Sequence, residues 1–273
     1  MPFVDAKDGT RLFYQDWGSG RPVVLIHGWP LDADMWEYQM PALAEAGYRT
    51  IAYDRRGFGR SDQPWGGYDY DTFADDLKAL LDALDLRDVT LVGFSMGGGE
   101  IARYLARHGT DRISQAVLVS AVTPYLLKTA DHPDGVDGSV FEGMIDGLKK
   151  DRPAFLANFS KTFFGVGVFS SPSSTELIEW TGHLAMLASP KATIECVRAF
   201  GGTDFRADMA AFTVPTLVIH GDDDQTVPFA VSGKVAAAAI PGSRLVVYEG
   251  APHAIPFTHA ERLRDDLLAF LRA

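Results

Sequence analysis

The stretch GFSMGGGE, residues 93–100, sets one serine among four glycines directly after a run of β-forming residues. A strand that passes into a helix through a single residue makes a sharp, strained turn, and glycines on its flanks let strand and helix approach. Such a turn projects the Ser95 hydroxyl from the carboxyl edge of a sheet, where ligands bind in open α/β folds, with the N–H groups of the following helix behind it. The chemistry on offer is nucleophilic attack on a carbonyl. Taken alone, the same string would equally serve as a helix N-cap serine in a glycine-rich turn. Two downstream segments give it weight. GDDDQTVP (221–228) brings three carboxylates after a β-rich run, and EGAPHAIP (249–256) brings His253 after the next one. Nucleophile, acid and base in that order can form a triad in which His253 takes the Ser95 proton and a carboxylate fixes the imidazole tautomer. Asp222, Asp223 and Asp224 compete for the acid's place, and the residues themselves do not separate them.

These side chains need a sheet with its loops at one edge, and the sequence predicts one. VVLI (23–26), TIAY (50–53), VTLVG (89–93), AVLVS (116–120), TLVIH (216–220) and LVVY (245–248) are short, continuous β-rich runs, as expected of parallel strands covered on both faces. Residues 11–17 instead alternate around Leu12, Tyr14 and Asp16, which predicts a half-exposed antiparallel strand at a sheet edge. Helical stripes lie between the runs: Phe73, Leu77, Leu80, Leu81 and Leu84; Ile101, Tyr104 and Leu105, with Gly109 as C-cap; and Leu263, Leu267, Leu268 and Leu271. Strand and helix alternate, so the class is α/β. The interval from Ser120 to Thr216 is too long for a loop. Its Phe141, Met144, Phe155, Phe159, Phe163, Phe164, Trp180 and Met186 predict a small helical lid with its own core, a few of them facing a pocket. We therefore expect an α/β core at 1–122 and 213–273 and a lid at 123–212.

Composition excludes several functions. The 273 residues are 47% hydrophobic and carry a net charge of −11 with no Lys/Arg block, which argues against nucleic acid and against an anionic membrane surface. A lone cysteine, Cys196, rules out an internal disulfide, and no Cys/His cluster has zinc spacing. With no apolar leader and no apolar run approaching the ~20 residues of a membrane span, the expected location is the cytoplasm. Cys196, within TIECVRAF, reads as a buried small apolar residue rather than a reactive thiol. Among the other histidines, His27 reads as a loop support and His108 as a helix C-terminal residue favoured by the dipole. His132, His183, His220 and His259 have no partner the sequence can name.

Together HGWP (27–30), DRRGFGRSD (54–62), GFSMGGGE, HGDDDQTVP (220–228) and APH (251–253) resemble the α/β-hydrolase superfamily, and within it the aryl-esterase and cofactor-free haloperoxidase (perhydrolase) group. The resemblance runs over nearly the whole chain and is least distinctive in the lid. It implies a mostly parallel eight-stranded sheet with helices on both faces. It also implies that Asp224 serves the triad while Asp222 shapes its loop, and that Trp29 and Met96 lend backbone N–H groups to an oxyanion hole. DRRGFGRSD lacks the lysine and spacing of a phosphate loop and is, by the resemblance, a structural loop beside the site. Pro30 directly after Trp29 matches relatives with perhydrolase activity, where a fixed φ would place the Trp29 carbonyl to accept from hydrogen peroxide; rigidifying the loop is the other reading. The implied activity is a serine esterase acting on small esters, without metal or cofactor, with hydrogen peroxide as an alternative to water. Val122, Phe141, Phe159, Phe163 and Phe200, with Pro30, are the expected pocket walls. An amidase or lactamase would use the same triad, whereas a dehalogenase or epoxide hydrolase needs aspartate where Ser95 stands. A small-molecule receptor on this scaffold would give no reason for an intact oxyanion loop. The resemblance also implies homo-oligomers, which no exposed stripe in the sequence independently indicates.

Overall fold

The computed structural model of the protein describes residues 2–167 and 171–273. Strands β1 (Phe3–Asp5), β2 (Arg11–Gly18), β3 (Pro22–Ile26), β4 (Arg49–Tyr53), β5 (Val89–Phe94), β6 (Ile113–Val119), β7 (Thr216–Gly221) and β8 (Arg244–Tyr248) form one sheet in the order β1-β2-β4-β3-β5-β6-β7-β8. β1 pairs antiparallel with β2, and β2 with β4; every other pairing is parallel. The nine α-helices of the described residues are α1 (Met40–Glu45), α2 (Tyr70–Ala83), α3 (Met96–His108), α4 (Gly138–Phe164), α5 (Thr175–Leu187), α6 (Pro190–Gly202), α7 (Gly233–Ala239), α8 (Ile255–Thr258) and α9 (Ala260–Leu271).

The continuous apolar runs are the interior strands. Val23, Val24, Leu25 and Ile26 are all fully buried, and so are β5 residues that point to opposite faces, as helices on both sides of the sheet require. Two expectations need correction. β2 is not the edge, because the three-residue β1 lies outside it; so short a strand leaves no periodic signal. β8 is not covered on both faces: it is the opposite edge, and Arg244 and Leu245 are exposed.

The predicted stripes mark the buried helix faces. On α2, Phe73, Leu77, Leu80 and Leu81 are buried, and Asp69 caps its start by accepting from Thr72 N at 2.9 Å. α3 ends at Gly109, whose φ of +75° is the left-handed turn that a C-cap glycine allows. Between β6 and β7 lie α4, α5 and α6. α4 is kinked at Asp151 (φ −158°, ψ 86°), where Pro153 opens a second segment and the Asp151 carboxylate caps Ala154 N at 3.0 Å. Ser174 and Ser189 cap α5 and α6. Cys196 on α6 is fully buried, and that burial pushes its thiol up to about 12, as expected of an apolar structural residue. No helix of the described residues is long and apolar enough to cross a membrane.

Candidate active site

Ser95 sits between β5 and α3 with φ +54° and ψ −117°, a region that non-glycine residues occupy only under constraint. The constraint is visible on both sides. A Cβ on Gly93 would lie 2.6 Å from the Gly97 carbonyl, and one on Gly97 would lie 2.5 Å from the Ile26 oxygen. The strand, the helix and β3 close on one another here, so neither glycine can grow a side chain. The Ser95 N–H is fixed to Val119 O at 2.9 Å, and its side chain makes no N-cap hydrogen bond to the helix. The N-cap reading of this serine is thereby set aside.

Its hydroxyl points instead to His253. Ser95 Oγ and His253 Nε2 are 2.9 Å apart, and His253 Nδ1 lies 2.6 Å from Asp224 Oδ2. The structure separates the three aspartates that the sequence left competing. Asp222 accepts from Gly250 N at 2.6 Å, tying the acid loop to the loop that carries His253; Asp223 is exposed and accepts from the Gln225 amide at 2.9 Å. Asp224 alone of the three is buried against the histidine. Its other oxygen, Oδ1, accepts from Thr226 N at 2.9 Å and Val227 N at 2.8 Å. Burial on its own would raise this carboxyl. The charge of His253 and the hydrogen bonds from His220 and His253 overcome it, holding Asp224 well below the usual carboxylate range. Such an array can remove the serine proton through His253 and stabilise the imidazolium that results.

His220, which the sequence left without a partner, belongs to this group. It is fully buried at the end of β7, with Nε2 2.9 Å from Val227 O and 3.3 Å from Asp224 Oδ2. Nε2 therefore carries the proton, and Nδ1, which has no partner, faces Gly233, where any Cβ would come within 2.5 Å of it. The available signal was its place four residues before Asp224. The remaining histidines lie elsewhere: His27 supports its loop as expected, and His108 meets Asp75 at 2.8 Å.

Among the described residues, the amide N–H groups of Trp29 and Met96 meet no protein acceptor. The Trp29 loop lies directly on the serine, since a Cβ on Gly28 would fall 3.1 Å from Ser95 Cβ. The Trp29–Pro30 peptide is cis. The Trp29 indole donates to Thr193 O at 2.9 Å, and its rings pack edge-on against Phe159 and Phe200 at 5.2 and 5.7 Å.

Ser95 and His253 open on a cavity of about 370 Å³. Trp29, Val122, Phe141, Phe159 and Phe200 line it, as do Leu126, Val136, Val140, Met144 and Phe155, with Asn158, Thr162 and residues 225–227 as its polar fringe. Two expected wall residues lie off this cavity. Phe155, Phe159 and Thr162 share one face of α4, whereas Phe163 is a step further round and packs edge-on against His253 at 5.3 Å and against Phe94 at 6.0 Å. Pro30 turns with Leu31 into a separate small crevice lined by Leu156, Thr181 and Ala185.

The alpha/beta hydrolase fold family matches residues 21–260. The chain is 48% identical over 273 residues to the non-heme chloroperoxidase CPO-A1 of Kitasatospora aureofaciens, covering 99% of each chain, and 41% identical over 280 residues to a bifunctional esterase/perhydrolase of Acinetobacter calcoaceticus, covering all of both. Its fold superposes on the crystal structure of a bromoperoxidase from Bacillus anthracis with a TM-score of 0.97 at 51% identity, over 100% of this chain and 99% of that one. With a serine turn, a histidine and an acid at one sheet edge, and with relatives matched end to end, the chain belongs to the alpha/beta hydrolase family.

Proposed function

We propose that this hydrolase is a serine carboxylesterase that acts on small, predominantly aryl esters through an acyl-enzyme on Ser95. In this reading Ser95 Oγ attacks the ester carbonyl as its proton passes to His253 Nε2, and Asp224 stabilises the imidazolium. The Trp29 and Met96 amides receive the oxyanion, a contact whose loss typically costs a factor of about 10²–10³ in turnover. His253 returns the proton to the departing alcohol. Water, deprotonated by the same histidine, then releases the acid and restores Ser95. The observation that carries the reading is the unbroken Ser95–His253–Asp224 chain, at 2.9 and 2.6 Å, opening on an apolar cavity. The aromatic rings of Trp29, Phe141, Phe155, Phe159 and Phe200 around it favour aryl groups and compact acyl chains. Residues 123–212 act as the lid that supplies most of this wall, over a core formed by 1–122 and 213–273.

Hydrogen peroxide is the second nucleophile for the same acyl-enzyme, and its product is a peracid with Ser95 restored. A peracid oxidises a halide ion to hypohalous acid and returns the carboxylic acid. This branch is supported by the haloperoxidase and esterase/perhydrolase relatives, and in this reading the fixed φ of Pro30 would orient the Trp29 carbonyl toward peroxide.

The test is hydrolysis of p-nitrophenyl acetate by the wild type and Ser95→Ala, with and without hydrogen peroxide and a peracid-trapping dye. Fast wild-type turnover should fall by about 10⁴-fold or more in the variant, together with the peracid signal. Equal, slow rates in both proteins would overturn the serine mechanism, and hydrolysis without peracid would remove the perhydrolase branch.

A further inference from the structure

DRRGFGRSD contains a fully buried arginine, Arg55, for which the hydrolytic steps above give no role. Its surroundings do. The guanidinium Nε and Nη2 donate to Glu100 Oε2 at 2.8 and 2.7 Å, and Nη2 also donates to the His27 carbonyl at 3.0 Å. The Arg55 backbone N–H donates to His27 Nε2 at 2.9 Å. That nitrogen is thus unprotonated, and His27 Nδ1–H donates to Gly28 O at 2.9 Å. Burial, with the charge of Arg55 added, holds His27 well below its ordinary value and so keeps the ring in this neutral form.

Arg55 therefore grips two different elements. Glu100 lies on α3, four residues after Met96, in the helix whose first N–H would meet the oxyanion. His27 and Gly28 lead directly into Trp29, which carries the other N–H. We propose that Arg55 and Glu100 are positioning residues that set the spacing between the Trp29 and Met96 amides. This rests on the serine-esterase reading of the site.

The pair is poorly built for stability. Both side chains are fully buried, yet Glu100 Oε1 has no partner, and burial pushes the carboxyl up and the guanidinium down. An incompletely satisfied buried ion pair is commonly no more stabilising than apolar residues of similar volume. What the apolar pair could not do is hold the His27 carbonyl against α3. At the helix itself the contact is backbone on backbone, Gly97 meeting Ile26 O and His27 O with no side chain between them, so the polar link from α3 to the His27 carbonyl runs through Arg55.

The experiment is the double variant Arg55→Met/Glu100→Leu, assayed with p-nitrophenyl acetate and titrated with phenylboronic acid, which forms a tetrahedral adduct on an active serine. If the pair sets the oxyanion geometry, the variant keeps its melting temperature, kcat falls about 100-fold with KM within about 2-fold, and boronate affinity falls in parallel with kcat. Glu100→Gln, which retains an acceptor for the guanidinium, should recover most of the turnover. A folded double variant with kcat within about 3-fold of wild type overturns the proposal. Should that variant fail to fold, Arg55→Met/Glu100→Gln removes the same grip on His27 at nearly unchanged volume, and the same readings apply. Ser95→Ala separates the two levels: an active Ser95→Ala overturns the serine reading and the clamp with it, whereas an inactive Ser95→Ala beside a fully active double variant overturns the clamp alone.

Discussion

On the histidine side of Ser95, both oxygens of the buried carboxylate are held: Asp224 receives two backbone amides on Oδ1 and His253 on Oδ2, with His220 Nε2, which is 2.9 Å from Val227 O, approaching Oδ2 to 3.3 Å. On the oxyanion side, two buried carboxylates, Asp32 and Glu100, each keep one oxygen with no donor. The same loss of water is met in opposite ways. Donation to both oxygens keeps Asp224 ionised beside an imidazole that would become cationic in the proposed reaction. Incomplete donation lets burial, with the neighbouring Asp54 and Asp34, push Asp32 up to about 7, and burial likewise raises Glu100. In the proposed reaction, the carboxylate held ionised is the one beside the imidazole, while Asp32, near the Trp29 loop, is held less readily in its charged form.

The largest effect that can break this comparison is at Asp224. Asp224→Asn keeps the size of the side chain but removes the charge and unsettles the tautomer of His253, so kcat on p-nitrophenyl acetate should fall by about 10⁴-fold. A loss of less than about 10-fold would mean that the held carboxylate has no catalytic weight.

His220 sharpens the point. Its Nε2 lies 2.9 Å from Val227 O and 3.3 Å from Asp224 Oδ2, so it gives Asp224 less than the about 1.5–3 kcal/mol of a full hydrogen bond to a charged group, and His220→Leu should lower kcat by less than about 10-fold while KM stays put. Full kcat in that variant would show that the two amides and His253 hold the carboxylate without it.

The smallest effect lies on the other side and is read as stability. The folded Asp32 carboxyl is raised to about 7 from its ordinary 3.8, so its contribution is fully present below about pH 4 and is lost as pH rises through 7. Asp32→Asn has no such dependence, and its amide oxygen can still accept from Asp34 N as Asp32 Oδ1 does at 3.0 Å. Its melting temperature relative to wild type should therefore rise by about 5 °C more at pH 8.5 than at pH 5, corresponding to roughly 2 kcal/mol. An equal difference at the two pH values would show that the oxyanion side is not short of charge at neutrality.

How much of this was legible depends on which physical rule each residue obeys. Interior strands such as β3 and β5 are apolar on both faces and announce themselves; β1, with three residues, leaves no signal, and β8 shows in its apolar run but reads as an interior strand because an edge can carry such a run too. Ser95 and His253 sit at the ends of recognisable strands, and a family resemblance pointed to Asp224, but composition could not choose it from three neighbours. The choice depends on which carboxylate turns inward: Asp222 is taken up by Gly250 N, while Asp224 is held by Thr226 N, Val227 N and His253. On α4, Phe159 and Phe163 are i, i+4 neighbours that the helical period puts on nearly the same face, so it could not show that only Phe159 reaches the cavity while Phe163 packs on His253, and the kink at Asp151 sets how that face is turned. Arg55 was unreadable for a different reason, since it works through His27 and Glu100 from distant parts of the chain, whereas the partners of His220, Asp224 and Val227, are near in sequence and only the fold of their loop brings them onto its ring.

The helices between β6 and β7 furnish most of the cavity wall but none of the Ser95, His253 and Asp224 side chains, and they reach the reacting loops through contacts such as Ala254 N to Phe163 O at 3.0 Å and the Trp29 indole to Thr193 O. Much of the wall and the proposed reacting groups consequently lie in separate stretches of the chain, with Trp29, Val122 and residues 225–227 as the points where they meet. Wall residues such as Val140, Met144 or Phe155 can therefore be exchanged without a change at Ser95, His253 or Asp224.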